Sequence, residues 1–160
     1  MTINSDYIDI LRYFVEETVQ FLVVGGYAVM KHSEPYHTKD LDLWIAPHRV
    51  NAERTYRSLA RFGAPLGDVT VDDLLNPDLV YQLGIEPVRI DVMSFVSGLD
   101  FEAAWNRRDK MMYGGLEVPV LSIEDTSCAK KASGRPKDLI QATELDRIIA
   151  KRHQNPLIPR

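Results

Sequence analysis

The chain has 160 residues, 45% of them hydrophobic and 26% charged, an ordinary globular composition that excludes a fibre or a disordered tract. Its formal net charge of −4 excludes a protein that coats nucleic acid through a broad basic surface. Cys128 is the single cysteine, which excludes an intrachain disulfide, and no apolar run reaches membrane-spanning length.

In chain order, Ser5 is placed to cap a first helix in which Ile8, Leu11 and Val15 recur at helical spacing beside Phe14. Asp6 and Asp9 stand where a signal peptide would carry positive charge, so the expected location is the cytoplasm. Phe21–Val24 is a short apolar, β-branched run that ends at Gly25-Gly26 and predicts a buried strand. A short helix over 26–33 follows, interrupted at Glu34-Pro35. Asp40–Ala46 alternates with the period of a strand. Pro47 opens a helix over 48–62, with Val50, Leu59 and Phe62 as core contacts and Gly63 as its stop.

Residues 64–78 read as loop with one turn of helix at Val71–Leu75. Leu79–Leu83 and Val88–Phe95, joined by four residues, predict an antiparallel hairpin. A short helix at Phe101–Arg107, a strand at Leu116–Val120, a helix from Ser122 and a last helix from Pro136 to about Lys151 complete the order. Ser122 to Asp125 has the form of a capping box, and Gly134 suits a helix stop. The expected fold is α+β: a small mixed or antiparallel sheet with helices on one face. Residues 1–121 make the core, and 122–160 a basic helical segment packed on the same domain.

Asp40-Leu41-Asp42 carries the chemistry. On a strand, residues two apart share a face, so both carboxylates project one way while Leu41, Leu43 and Ile45 enter the core. Asp91, between Ile90 and Val92, repeats the pattern. Should those strands be neighbours, three carboxylates meet, and two such charges about 4 Å apart repel by roughly 4 kcal/mol at an effective dielectric near 20. A divalent cation removes that penalty, and oxygen-only ligands favour a hard ion, Mg²⁺ or Mn²⁺. Taken alone the pair is equally the polar face of an ordinary strand. Gly25-Gly26 between strand and helix lets backbone N–H groups approach an anion such as a triphosphate, although such a pair is more often a tight turn.

Gly-Gly, a helix, Asp-x-Asp on the next strand and a third acid on a later one together resemble the nucleotidyltransferase superfamily, of polymerase-beta-like fold, from Val23 to Phe95. Val24-Gly25-Gly26-Tyr27-Ala28-Val29 and Thr38-Lys39-Asp40-Leu41-Asp42-Leu43 look like the small stand-alone bacterial members, some of them toxin-type. Lys130-Lys131-Ala132-Ser133-Gly134-Arg135-Pro136-Lys137-Asp138 is similar to their Lys-x-x-x-Gly-Arg-x-Lys-Asp stretch, which extends the resemblance over nearly the whole chain. Tyr36 departs from it, standing where such proteins often carry Arg.

The resemblance implies transfer of a nucleoside monophosphate from an NTP, ATP included, to an acceptor, with release of pyrophosphate. Asp40, Asp42 and Asp91 would be catalytic and bind Mg²⁺ or Mn²⁺. Gly25 and Gly26 would hold the triphosphate. Thr38 is placed either to bond a phosphate on the nucleotide side or, by a slight preference, only to lead into the strand; Lys130, Lys131, Arg135 and Lys137 either serve the nucleotide phosphates or an RNA acceptor, or are cations at a helix C-terminus. The acceptor stays open among an RNA end, a protein side chain and a small molecule. The basic segment, with eight Lys or Arg against three acids from Lys130 to Arg160, points towards a polyanion such as tRNA. An antitoxin partner and a homodimer follow from toxin-type kinship alone, and no membrane partner is expected. The alternative, motivated by Tyr36, is a non-catalytic nucleotide- or partner-binding module of the same fold. His32, His37, His48 and His153 lack metal-ligand spacing and read as surface residues; Trp44 and Trp105 read as packing.

Overall fold

The computed structural model describes residues 3–34, 40–85 and 87–155; Thr38, Tyr36 and His37 lie outside them. The first helix, α1 (Ser5–Glu16), is capped by Asn4 and not by Ser5, the Asn4 side chain accepting from the Asp6 and Tyr7 amides. Its buried stripe is Tyr7, Ile10, Leu11 and Phe14, which leaves Val15 exposed against expectation. Tyr7 sets that rotation: its ring meets Tyr27 and Tyr113, and its hydroxyl donates to the Arg89 carbonyl at 3.1 Å.

Strand β1 (Phe21–Val24) is buried along its whole length and leads directly into α2 (Gly25–His32). Strand β2 (Asp40–Ile45) buries Leu41, Leu43 and Ile45 on one face and Trp44 on the other, where Phe101 meets the indole edge-on. Helix α3 (Arg49–Phe62) starts at a His48 cap, with Pro47 one residue outside, and stops at Gly63 in the left-handed region. Leu59 is buried as expected but Val50 is exposed; Asn51, Ala52, Thr55 and Ser58 face inward instead. Asn51 is tolerated there because its amide donates to the Gln20 and Ala46 carbonyls.

The turn of helix at α4 (Val71–Leu75) carries a Thr70–Asp73 capping box. The hairpin β3 (Val80–Ile85) and β4 (Val88–Met93) is antiparallel as expected. Helix α5 (Phe101–Asn106) is followed by β5 (Asp109–Tyr113), β6 (Leu116–Val120), α6 (Ile123–Ser133) and α7 (Pro136–Gln154). Strand β5 has no counterpart in the sequence-based expectation. It forms because Gly114 and Gly115, with φ of +56° and +82°, close a two-residue turn onto β6.

The six strands make one mixed sheet in the order β3-β4-β2-β1-β6-β5. Strand β2 runs antiparallel to β1 and parallel to β4, so it joins the β3–β4 hairpin to the centre of the sheet. Among the described residues no helix is long and apolar enough to cross a membrane.

Candidate metal and nucleotide site

Register places the carboxylates. Asp42 pairs with Val24, the last residue of β1, on one side and with Asp91 of β4 on the other. Paired residues on adjacent strands share a face, so Asp42 and Asp91 project together, with Asp40 two residues along β2 beside them. Each of the three offers an oxygen within 4.8 Å of the others. The structure therefore brings Asp40, Asp42 and Asp91 together.

Gly25 begins α2 directly above this row. Its φ is +66°, and an added Cβ would lie 2.2 Å from Asp42 Oδ2, so only glycine lets the chain pass so close to that carboxylate. Gly25 and Gly26 sit in the first turn of a helix that has no side-chain cap, where the amides lack intrahelical acceptors and suit an anion. Tyr27 is turned away from the site, buried against Tyr7 and Tyr113.

Gly25, Asp40, Asp42 and Asp91 line a cleft of about 420 Å³ together with Lys130, Ser133, Arg135 and Asp138 from the α6–α7 junction. Asp138 holds that junction, accepting from Ser133 Oγ at 2.5 Å, Arg135 Nε at 2.9 Å and Lys130 Nζ at 3.2 Å. Burial pushes the Asp138 carboxyl up, but the Ser133 hydroxyl and the Lys130 and Arg135 cations outweigh it and hold the pKa below its usual value. Lys130 is thereby fixed in the cleft with its side chain only 15% exposed, close enough to Asp42 to lower its pKa. Lys131 and Lys137 do not line the cleft; Lys131 pairs with Asp146 at 2.7 Å, and Lys137 is exposed on α7.

Sequence reasoning passed over Arg89. Its Nη2 lies 2.8 Å from Asp40 Oδ2 and 3.2 Å from Asp91 Oδ2, and its Nε lies 3.1 Å from Asp91 Oδ1. The signal was present, because Arg89 and Asp91 are two apart on one strand and must share a face. The expectation of surface histidines is corrected at His32, which is buried, its Nε2 2.8 Å from the Leu121 carbonyl oxygen; burial lowers its pKa. Trp44 is core, and Trp105 stacks on Phe101, so both act in packing.

The carboxylates suit a hard divalent ion. The donors are all oxygen, and Asp40 Oδ1 is buried without a hydrogen-bond partner. Burial, then the neighbouring Asp91 and Asp40 charges, push the Asp42 pKa up to about 7. Burial likewise raises Asp91, although Arg89 opposes it. Without metal, Asp42 keeps its proton to about pH 7 in the folded chain and releases it near 3.8 when unfolded. Between those values the folded state binds more protons, so its stability should fall as pH rises. Melting in chelator from pH 4 to 8 should show that decline in the native chain and a flatter profile in Asp42→Asn; parallel profiles would exclude Asp42 as the cause.

A second cavity, of about 490 Å³ between α2 and β5, is lined by Tyr27, Met30, Met111, Met112, Lys31, Lys110 and Glu117, a single carboxylate among the described residues.

Over residues 3–156 the chain matches the family described as "Nucleotidyl transferase of unknown function (DUF2204)" and belongs to it. A presumed nucleotidyltransferase from Thermotoga maritima shares the fold at a TM-score of 0.57 and 18% identity, over 94% of this chain and 97% of that one. The lincosamide antibiotic adenylyltransferase LnuA, in its lincomycin-bound structure, shares it at 0.52 and 14%, over 92% of this chain and 99% of that one. No curated protein sequence matches significantly.

Proposed function

We propose that this member of the nucleotidyl transferase family moves a nucleoside monophosphate from an NTP such as ATP to an acceptor hydroxyl or phosphate, releasing pyrophosphate. The observation that carries the reading is the convergence of three carboxylates from two strands under the first turn of α2.

Asp40, Asp42 and Asp91 are the ligand set for Mg²⁺ or Mn²⁺, which when bound stabilises charge on the phosphate oxygens as a Lewis acid. The first-turn amides of α2 at Gly25 and Gly26 receive the triphosphate, with Lys130 and Arg135 lining the same cleft. The acceptor oxygen attacks the α-phosphorus, the bond to the bridging oxygen breaks, and pyrophosphate leaves. Asp91, whose pKa is raised by burial, takes the proton of an acceptor hydroxyl. Thr38 contributes to the nucleotide side in this reading. Lys131 and Lys137, outside the cleft, serve a polyanionic acceptor such as tRNA better than the nucleotide; a protein side chain or a small molecule remains an acceptor class.

Residues 1–121 act as the catalytic core and 122–160 as the basic segment that closes the cleft. A cytoplasmic setting, supported by Asp6 and Asp9 near the start of the sequence, belongs to the same reading, as do an antitoxin partner and a homodimer through toxin-type kinship alone.

The second reading, a non-catalytic nucleotide- or partner-binding module, is favoured by Arg89, which engages two of the three carboxylates. Thermal melts with Mg²⁺ or Mn²⁺ and each NTP test nucleotide binding, and ligand at a hundred times its dissociation constant should add about 2.7 kcal/mol. Labelled NTPs incubated with total RNA or protein then separate the readings. Transfer of label with pyrophosphate release is the expected result; a melt shift without transfer to any acceptor favours the module, and no shift with any NTP removes the nucleotide site altogether.

A further inference from the structure

Arg89 already occupies part of the carboxylate cluster proposed to hold the metal. Its guanidinium bonds Asp40 Oδ2 and Asp91 Oδ2 through one nitrogen and reaches Asp91 Oδ1 through another. A divalent ion held at roughly 2.0–2.2 Å by the same two carboxylates contends with the guanidinium for Asp40 Oδ2 and the Asp91 oxygens. Two cations on one pair of carboxylates also repel each other, so each weakens the other's hold.

Register also limits where the arginine can go. Arg89 pairs with Asp40 across β2–β4 and shares a face with Asp91, so after leaving the carboxylates its side chain still projects into the cleft. The α6–α7 junction that also lines the cleft brings Lys130 and Arg135 against the single carboxylate of Asp138, so it keeps an excess positive charge and an anion bound in the cleft is the partner available to a displaced guanidinium. The substitution of guanidinium for metal is also incomplete, since Asp40 Oδ1 stays buried and unpartnered.

We propose that Arg89 is a resident counter-ion that competes with the divalent metal for Asp40 and Asp91, is displaced when the metal loads, and then pairs with the nucleotide's triphosphate. The inference rests on the metal-site reading given above. It makes metal loading and triphosphate binding mutually supportive, because the anion stabilises the released arginine.

The test measures Mn²⁺ uptake directly, from the loss of the free-ion paramagnetic resonance signal, in the native chain and in Arg89→Gln. Removing a positive charge that contacts the ligand set should tighten Mn²⁺ binding by about tenfold. In the native chain, phenylglyoxal modification of Arg89, read by peptide mass spectrometry, should rise on adding Mn²⁺ alone and fall again with Mn²⁺ and inorganic tripolyphosphate. Ordinary ligand protection gives the opposite first step. Equal or weaker Mn²⁺ binding by folded Arg89→Gln, or Arg89 labelling that Mn²⁺ leaves unchanged or lowers, overturns the role of Arg89 while native Mn²⁺ binding leaves the metal site standing. If neither chain takes up Mn²⁺, both fall. Should Arg89→Gln not fold, the labelling of the native chain decides.

Discussion

Asp42→Asn should abolish nucleotidyl transfer while leaving the metal-free chain folded and, near neutral pH, at least as stable as the native one. Asp42 is the middle of the three acids, in one row with Val24 and Asp91. Its charge is the one that burial and the two neighbouring carboxylates disfavour. The amide has nearly the same shape, removes that charge, and supplies no anionic ligand. Lewis-acid stabilisation is worth several kcal/mol and each 1.36 kcal/mol is tenfold, so losing a ligand should cost about a thousandfold in rate. Pyrophosphate release measures the first claim, and melts in chelator and in Mn²⁺ measure the second. The metal-dependent gain in melting temperature should shrink in the variant. Turnover within tenfold of native would remove Asp42 from the ligand set, and unfolding of the metal-free variant would make its role structural.

How much of this centre can be read from the chain depends on the range of the signal. Asp40-Leu41-Asp42 and Ile90-Asp91-Val92 declare their faces through a period of two, which is local information. Their meeting is not local: β2 pairs in parallel with β4, which follows it in the chain only after α3, α4 and β3, and nothing within either strand specifies that neighbour or the row that sets Asp42 against Asp91. The Gly-Gly to Asp-x-Asp spacing supplied it through family resemblance. Arg89 was legible by the same alternation and was missed because an arginine on a strand reads as solvent-facing. Asp109–Tyr113 was missed for another reason: Lys110, Met111 and Met112 carry no β-branched side chain, and the strand follows from Gly114-Gly115 turning it back onto β6. In the basic segment, charge alone did not separate Lys130, locked into the cleft by buried Asp138, from Lys131, which pairs with Asp146 on α7. His32 reads as a surface residue in sequence because its partner, the Leu121 carbonyl, lies 89 positions away.

Gly25→Ala should be the most damaging single methyl addition near the site. The residue has φ of +66°, and the new Cβ would stand 2.2 Å from Asp42 Oδ2, 3.1 Å from its Cγ and 3.3 Å from its Cβ. The left-handed conformation alone costs alanine about 1–2 kcal/mol. Gly63 isolates that cost, because its φ is +88° and nothing lies within 4 Å of an added Cβ. Gly63→Ala should therefore lose about 1–2 kcal/mol and keep its activity. Gly25→Ala should lose more, since relieving the collision moves either the first turn of α2 or the Asp42 carboxylate by about 1 Å, and a misplacement of that size can cost about a hundredfold in rate. Denaturant melts and pyrophosphate release on both variants give the comparison. Combining Gly25→Ala with Asp42→Ala removes the two closest atoms, Oδ2 and Cγ, and leaves only the Cβ at 3.3 Å, so the stability loss due to the glycine change should shrink towards that of Gly63→Ala. A Gly25→Ala chain as active and as stable as Gly63→Ala would mean that the helix start does not approach Asp42 this closely, and the triphosphate position at Gly25 and Gly26 would lose its structural basis.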